Sequence, residues 1–216
     1  MTDKNLTGKT LNQLAARWQG QTIGLLGGSF NPAHSGHRDI ALKALKILDI
    51  DAVFLMVSPG NPLKDSDGMA PVNMRLESAQ EAAGHPNIFI TDIEQHIGTR
   101  RTIDTIKALQ RGMPKTRFIW LMGADNLATF HHWYHWQGIS AHLPIAIFDR
   151  PGYSIAALTS RFAVTRRQYK VPHHRITNKQ TGQARRAKPW CFIPMKRNTA
   201  SATAIRTNVG IDWFKK

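Results

Sequence analysis

The sequence predicts an α/β fold: a doubly wound parallel sheet with a small helical part at its carboxyl-terminal end. Three observations lead there. Short runs that are apolar throughout, rather than at every second residue, recur along the chain, as strands do when both faces of their sheet are covered. Segments with apolar residues at three- and four-residue spacing lie between those runs, so strands and helices alternate. With 216 residues, 42% of them hydrophobic, there is chain enough to bury a core of this kind.

Taken in order, residues 1–21 form an amino-terminal arm, either loose or carrying a short capping helix marked by Leu11, Leu14, Ala15 and Trp18; residues 22–216 form a single domain. Thr22 to Gly27 (TIGLLG) is the first strand, closed by glycines and followed by a turn-rich stretch. Ile40, Leu42, Leu45 and Leu48 have helical spacing. Ala52 to Ser58 is the second strand, stopped by Pro59, Gly60, Asn61 and Pro62. Asn73 to Ala83 reads as a helix with Asn73 as its cap, and Ile88 to Thr91 as a third strand. Thr102 to Leu109 is helical through Ile103, Ile106 and Leu109, ending before Gly112 and Pro114. Arg117 to Met122 is again a buried strand, and Gly123 follows it. The aromatic-rich stretch from Asn126 to Ile139 reads as helical. Leu143 to Phe148 and Trp190 to Pro194 are the remaining strands, and Ser201 to Thr207 the last helix.

Composition narrows the function classes. Lys and Arg number 29 against 14 acidic residues, a formal charge of +15, which points to an anionic partner. Nine of those cations lie between Arg161 and Trp190, where there is no Asp or Glu; this stretch reads as a solvated or mobile basic loop, and without it the charge is +6. No apolar run approaches the roughly 20 residues that span a bilayer. The first residues lack the apolar core of a secretory signal. Cys191 is the single cysteine and has no partner for an internal disulfide, so a reducing cytoplasm fits best.

Two loops carry the candidate chemistry. The first follows the first strand and reads Gly27, Gly28, Ser29, Phe30, Asn31, Pro32, Ala33, His34, Ser35, Gly36, His37. Ligands of a doubly wound sheet sit at that end of the strands, glycines let the backbone approach an anion, and a helix starting near His37 would aim its unpaired N–H groups there. It is neither G-x-G-x-x-G nor G-x-x-x-x-G-K-[ST], which disfavours a generic dehydrogenase or P-loop ATPase. His34 and His37 could donate to phosphate oxygens or simply cap and pack a helix start. The second loop is SATAIR near the chain end, where Thr203 and Arg206 share a helix face and Ser201 could cap it.

Together, GGSFNPAHSGH and SATAIR resemble the nucleotidyltransferase superfamily marked by H-x-G-H and a later S-x-T-x-x-R helix. Between them VSPGNPLK (Val57 to Lys64), TIDT (Thr102 to Thr105), GADNL (Gly123 to Leu127), HHWY (His131 to Tyr134) and DRPGY (Asp149 to Tyr153) follow in the order found in the nicotinate-nucleotide adenylyltransferases. The resemblance covers Thr22 to Arg206. It implies adenylyl transfer from ATP to nicotinate mononucleotide, with Mg²⁺ accompanying ATP and no metal ligands from the protein. It further implies that Gly27, Gly28, Ser29 and Phe30 cradle phosphates, that His34, His37, Lys64 and Arg206 act at the reacting phosphorus, and that Ser201 and Thr203 hold the far side of ATP. Asn61, Lys64, Thr102, Gly123, Asp125, Trp133 and Arg150 would line the acceptor, with Trp133 stacked on the pyridine ring.

The chain departs from the family pattern at Arg101, where many members carry an aromatic residue before the threonine. The sister activity, pantetheine-phosphate adenylyltransferase, shares the glycine loop and H-x-G-H, but GADNL with HHWY suits a flat aromatic acceptor better. From another class, Arg161 to Trp190 could serve a nucleic-acid-binding protein, although no base-reading module is present. A metal hydrolase on His131, His132, His135 and His142 lacks the H-E-x-x-H glutamate. Homo-oligomerisation is left open, and no membrane partner is implied.

Overall fold

Successive side chains along a strand go to opposite faces of its sheet, and here both faces are apolar. A computed structural model of the chain describes residues 5–60, 68–177, 187–196, 198, 200–210 and 213–214. The strands β1 (Thr22–Gly28), β2 (Ala52–Val57), β3 (Ile88–Thr91), β4 (Arg117–Gly123), β5 (Ile145–Phe148) and β6 (Trp190–Ile193) pair in the order β3-β2-β1-β4-β5-β6, every pair parallel. Ile23, Leu25, Phe54, Met56 and Trp120 face one core; Leu26, Val53, Leu55, Leu121 and Phe148 face the other. The continuous apolar runs of the sequence are thus two alternating sets, each with its own layer.

The first core is covered by α1 (Leu11–Arg17), the single turn α4 (Ile93–His96), α5 (Thr102–Gly112), α6 (Ala124–Thr129), α7 (Trp136–His142), α8 (Ser154–Leu158) and α9 (Arg161–Thr165). The second lies under α2 (Ser35–Ile47) and α3 (Val72–Ala83). A last helix, α10 (Ala202–Val209), follows β6. No helix among the described residues is long and apolar enough to cross a membrane. Cys191 is buried in β6, and burial pushes its thiol up to about 12, so it stays an unreactive thiol.

Several local expectations change. Of the two readings of the amino-terminal arm, the helix forms: Thr10 and Gln13 close a capping box, Leu14 and Trp18 are buried, and the Leu6 N–H donates to the Ile90 carbonyl at 2.8 Å. Asn73 does not cap α3, because Pro71 holds that place and the helix begins at Val72. Residues 126–139 are not one helix. After α6 a 3-10 turn (Phe130–His132) bends the chain, His135 takes φ 52°, and α7 starts afresh. This bend lets Phe130 meet Trp133 and Phe162 edge to face, both at 5.3 Å. The fifth strand starts at Ile145, since the Leu143 N–H still closes α7 on the Ile139 carbonyl. The basic stretch is not a mobile loop over residues 161–177. There Phe162 and Ile176 are buried and the Val171 N–H donates to the Trp190 carbonyl at 2.8 Å; residues 178–186 lie outside the described residues.

What matters for function is β1. Its neighbours are β2 on one side and β4 on the other, so the connections leaving β1 and β4 diverge to opposite faces. Between the carboxyl ends of those two strands lies the crevice where doubly wound sheets bind ligands.

Candidate active site

A cleft of about 830 Å³ opens at that crevice, a size suited to a small ligand. The β1 loop forms its floor. A Cβ on Gly27 would stand 2.8 Å from the Trp120 ring beneath, so only glycine lets the strand end lie flat on that indole. Phe30 follows in the left-handed region (φ 47°) with its ring buried. Asn31, also buried, fastens the loop to distant chain: its Nδ2 donates to the Gly68 carbonyl at 2.8 Å, and its Oδ1 accepts from the Ala70 N–H and the Trp213 indole, both at 3.1 Å.

His34 is the N-cap of α2. Its Nδ1 accepts the Gly36 N–H at 3.1 Å, and its own N–H donates to His37 Nδ1 at 3.2 Å. Both rings therefore carry their proton on Nε2. The backbone donors expected to face an anion are partly consumed here, because the His37 N–H also closes on the His34 carbonyl at 2.9 Å; the histidines line the cleft in their place. Burial, helped by the nearby Arg150 charge and opposed by Asp125, holds His34 down at about 4, so it is a neutral donor at physiological pH.

Arg150 stands at the centre of this wall. Its guanidinium donates to the Ala200 carbonyl at 2.9 Å, lies 3.9 Å from Asp125 Oδ1, and occupies the space a Cβ on Gly36 would need. Gly123 ends β4 and is the N-cap of α6, which places Asp125 in the first turn. Ser201 caps α10, its Oγ accepting the Ala204 N–H at 3.1 Å. Ser201 and Thr203 line the cleft. Arg206 is half-buried and is not among the residues lining the cleft; it donates to the Asn31 carbonyl and, at 3.4 Å, to Thr203 Oγ1. The two sequence-distant clusters thus touch directly.

At the other end of the cleft are Thr102, the first residue of α5, and half-buried Trp133, which meets Trp120 edge-on at 6.2 Å. Asn61 and Lys64 lie outside the described residues.

Sequence reasoning missed two residues. Arg75 on α3 is 1% exposed and donates to four carbonyls: Ala70 at 2.9 Å, Ser29 at 2.8 Å, Ser58 at 2.7 Å and Pro59 at 3.3 Å. It ties the loop after β1 to the loop after β2. A signal existed, since Arg75 shares a helix face with the buried Ala79 and Ala83, and a cation in an apolar stripe needs partners. Glu94, buried in the cleft wall, accepts from Thr105 Oγ1 at 2.9 Å, and burial pushes its carboxyl up to about 6. Nothing in its spacing marked it. Among the described residues no group of three or more His, Cys, Asp or Glu could hold a metal ion; His131 and His135 do not share a helix face.

The family model described as cytidylyltransferase-like matches residues 25–208. The probable nicotinate-nucleotide adenylyltransferase of Gluconobacter oxydans is 46% identical over 186 residues, 85% of this chain and 93% of that protein. The protein of the same name from Ruegeria pomeroyi is 44% identical over 197 residues, 88% of each. The nicotinic acid mononucleotide adenylyltransferase of Plasmodium falciparum, solved complexed with NaAD, superposes with a TM-score of 0.65 at 15% identity, covering 87% of this chain and 83% of that one; at that identity the likeness speaks for the fold. The family match over most of the chain and the 44–46% identity to relatives covered nearly end to end lead to one conclusion: the chain belongs to the cytidylyltransferase-like family and, within it, to the nicotinate-nucleotide adenylyltransferases.

Proposed function

We propose that the cleft transfers the adenylyl group of ATP to nicotinate mononucleotide, giving deamido-NAD and pyrophosphate, and that its residues act as follows. Residues 22–216 work as one nucleotidyltransferase domain, with residues 1–21 as its arm. Gly27, Gly28, Ser29 and Phe30 hold the triphosphate along the backbone. The Nε2–H groups of His34 and His37 donate to oxygens around the α-phosphorus, and Ser201 and Thr203 approach from the far side. Arg206 stabilises the same region and fixes the loop through the Asn31 carbonyl. Asn61, Thr102, Gly123, Asp125, Trp133 and Arg150 bound the acceptor, and Lys64 adds a cation between the two substrates.

No protein nucleophile is needed. A phosphate oxygen of the mononucleotide attacks the α-phosphorus in line, the bond to the bridging oxygen breaks, and pyrophosphate carries away the electron pair. Preorganised donors then meet charge as it builds on the equatorial oxygens. The donor set of histidine ring N–H groups, hydroxyls and arginines, with no carboxylate cage among the described residues, fits a divalent ion held mainly by the phosphates. Mg²⁺, when bound, offsets charge on the departing pyrophosphate.

What supports the reading above all is the contact of Arg206 with the loop that carries His34 and His37. The test is direct. Purified protein with Mg²⁺, ATP and nicotinate mononucleotide, its amide or phosphopantetheine is assayed for pyrophosphate. Release with nicotinate mononucleotide is expected; release with phosphopantetheine alone, or with none of the three, overturns the proposal.

A further inference from the structure

The geometry points to Arg101 as the residue that makes the acceptor end of the cleft prefer a pyridine carboxylate to the corresponding amide. The inference deepens the proposed function and rests on it. Arg101 is the N-cap of α5, with extended backbone (φ −119°, ψ 129°), and no side chain caps that helix. An arginine has no acceptor with which to cap, so its side chain leaves the helix and lies over the Tyr134 ring, 3.9 Å from guanidinium carbon to ring centre. A guanidinium stacked on an aromatic face is held in place while its in-plane N–H donors still point outward.

Arg101, Tyr134, Trp133 and Thr102 all line the cleft. Arg100 lines it too, and among the described residues neither arginine has a carboxylate within 4 Å. The carboxyl groups of the cleft are engaged elsewhere: Glu94 accepts from Thr105, and Asp125 stands by Arg150. This end therefore presents two exposed cations, one of them stacked on Tyr134, beside the aromatic wall. A pyridine ring against Trp133 brings its 3-substituent into that field. A carboxylate accepts charge-assisted hydrogen bonds from the stacked guanidinium, and an uncharged amide does not.

The experiment compares kcat/KM for nicotinate mononucleotide and its amide in the wild type, Arg101→Met and Arg101→Lys. Arg101→Met should lose about tenfold on the acid, as expected for a charge-assisted hydrogen bond, mainly through KM. The amide value should move less than about twofold, so the acid-to-amide ratio falls by nearly the full factor. Arg101→Lys should recover part of the ratio, and the wild-type preference should shrink as salt is added. Melting temperatures and KM for ATP should stay at wild-type values. An unchanged acid-to-amide ratio in Arg101→Met, or an equal loss on both acceptors, overturns the assignment. A wild type that adenylylates neither mononucleotide fails at the earlier step and overturns the function itself, and Arg101's role with it.

Discussion

The rings of His34 and His37 lie 3.9 Å apart, and each uses its Nδ1 on a backbone N–H of the turn that joins them. The turn thereby sets the tautomer of both side chains. Replacing His37 with alanine removes one preorganised donor, and loss of such a donor costs about 3 kcal/mol in the transition state. His37→Ala should fold, as seen by an unchanged circular dichroism spectrum, and turn over on the order of a hundredfold more slowly. Near-wild-type pyrophosphate release by this variant would take His37 out of the chemistry.

Arg75→Lys should be costly although it keeps the charge. One ammonium cannot reach four carbonyls set around a planar fork, and a buried acceptor left without a partner costs about 1–3 kcal/mol. A loss of about 3 kcal/mol corresponds to a melting temperature roughly 10 °C lower in a chain of this size. KM for ATP should rise as well, because Ser29 lies in the loop that Arg75 holds. A variant that melts like the wild type would deny the residue its anchoring role.

Trp133→Ala should raise KM for the mononucleotide about tenfold, as loss of an aromatic stack predicts. KM for ATP should hardly change, because the ring stands at the acceptor end. Steady-state kinetics with each substrate varied in turn separates the two; an effect confined to ATP contradicts the orientation of substrates described above.

Glu94 gives a pH signature in stability. Its carboxyl sits at about 6 in the folded chain against 4.5 for an ordinary glutamate, so the fold holds this proton more tightly than the unfolded chain does. Stability from this group is therefore full below pH 4.5, falls as pH rises through 6, and is level above that, a change of about 2 kcal/mol. Glu94→Gln should be more stable than the wild type at pH 7.5 and no more stable at pH 4. Thermal melts at the two values decide, and an equal gain at both would mean that burial of the charge is not the cause.

Much of the architecture was legible because a parallel sheet buries both faces. Ala52 to Val57 is apolar at every position, and Ile88 to Thr91 needed only its β-branched residues to be placed. The H-x-G-H and S-x-T-x-x-R clusters were legible as motifs, and the resemblance implied that they meet; the particular contact was not legible, since Arg206 and Asn31 are 175 residues apart. The break between α6 and α7 escaped periodicity for a physical reason: Phe130, Trp133 and Trp136 have spacing compatible with one helix, and only the packing of Phe130 and Trp136 around Phe162, with Trp133 turned to Phe130 and Trp120, decides otherwise. Glu94 escaped too, because what matters about it is its burial, which comes from chain folded over it from elsewhere.

Asn31 has one further consequence. A single amide side chain in the loop after β1 is grasped by the strand-to-helix segment at Gly68 and Ala70 and by the tail at Trp213. Tail and loop are thus one mechanical unit, so with the loop cradling the triphosphate as proposed, trimming the chain just ahead of Trp213 would slacken that hold from a distance. An enzyme shortened by those few residues would pass for folded and still need more nucleotide to run at half speed.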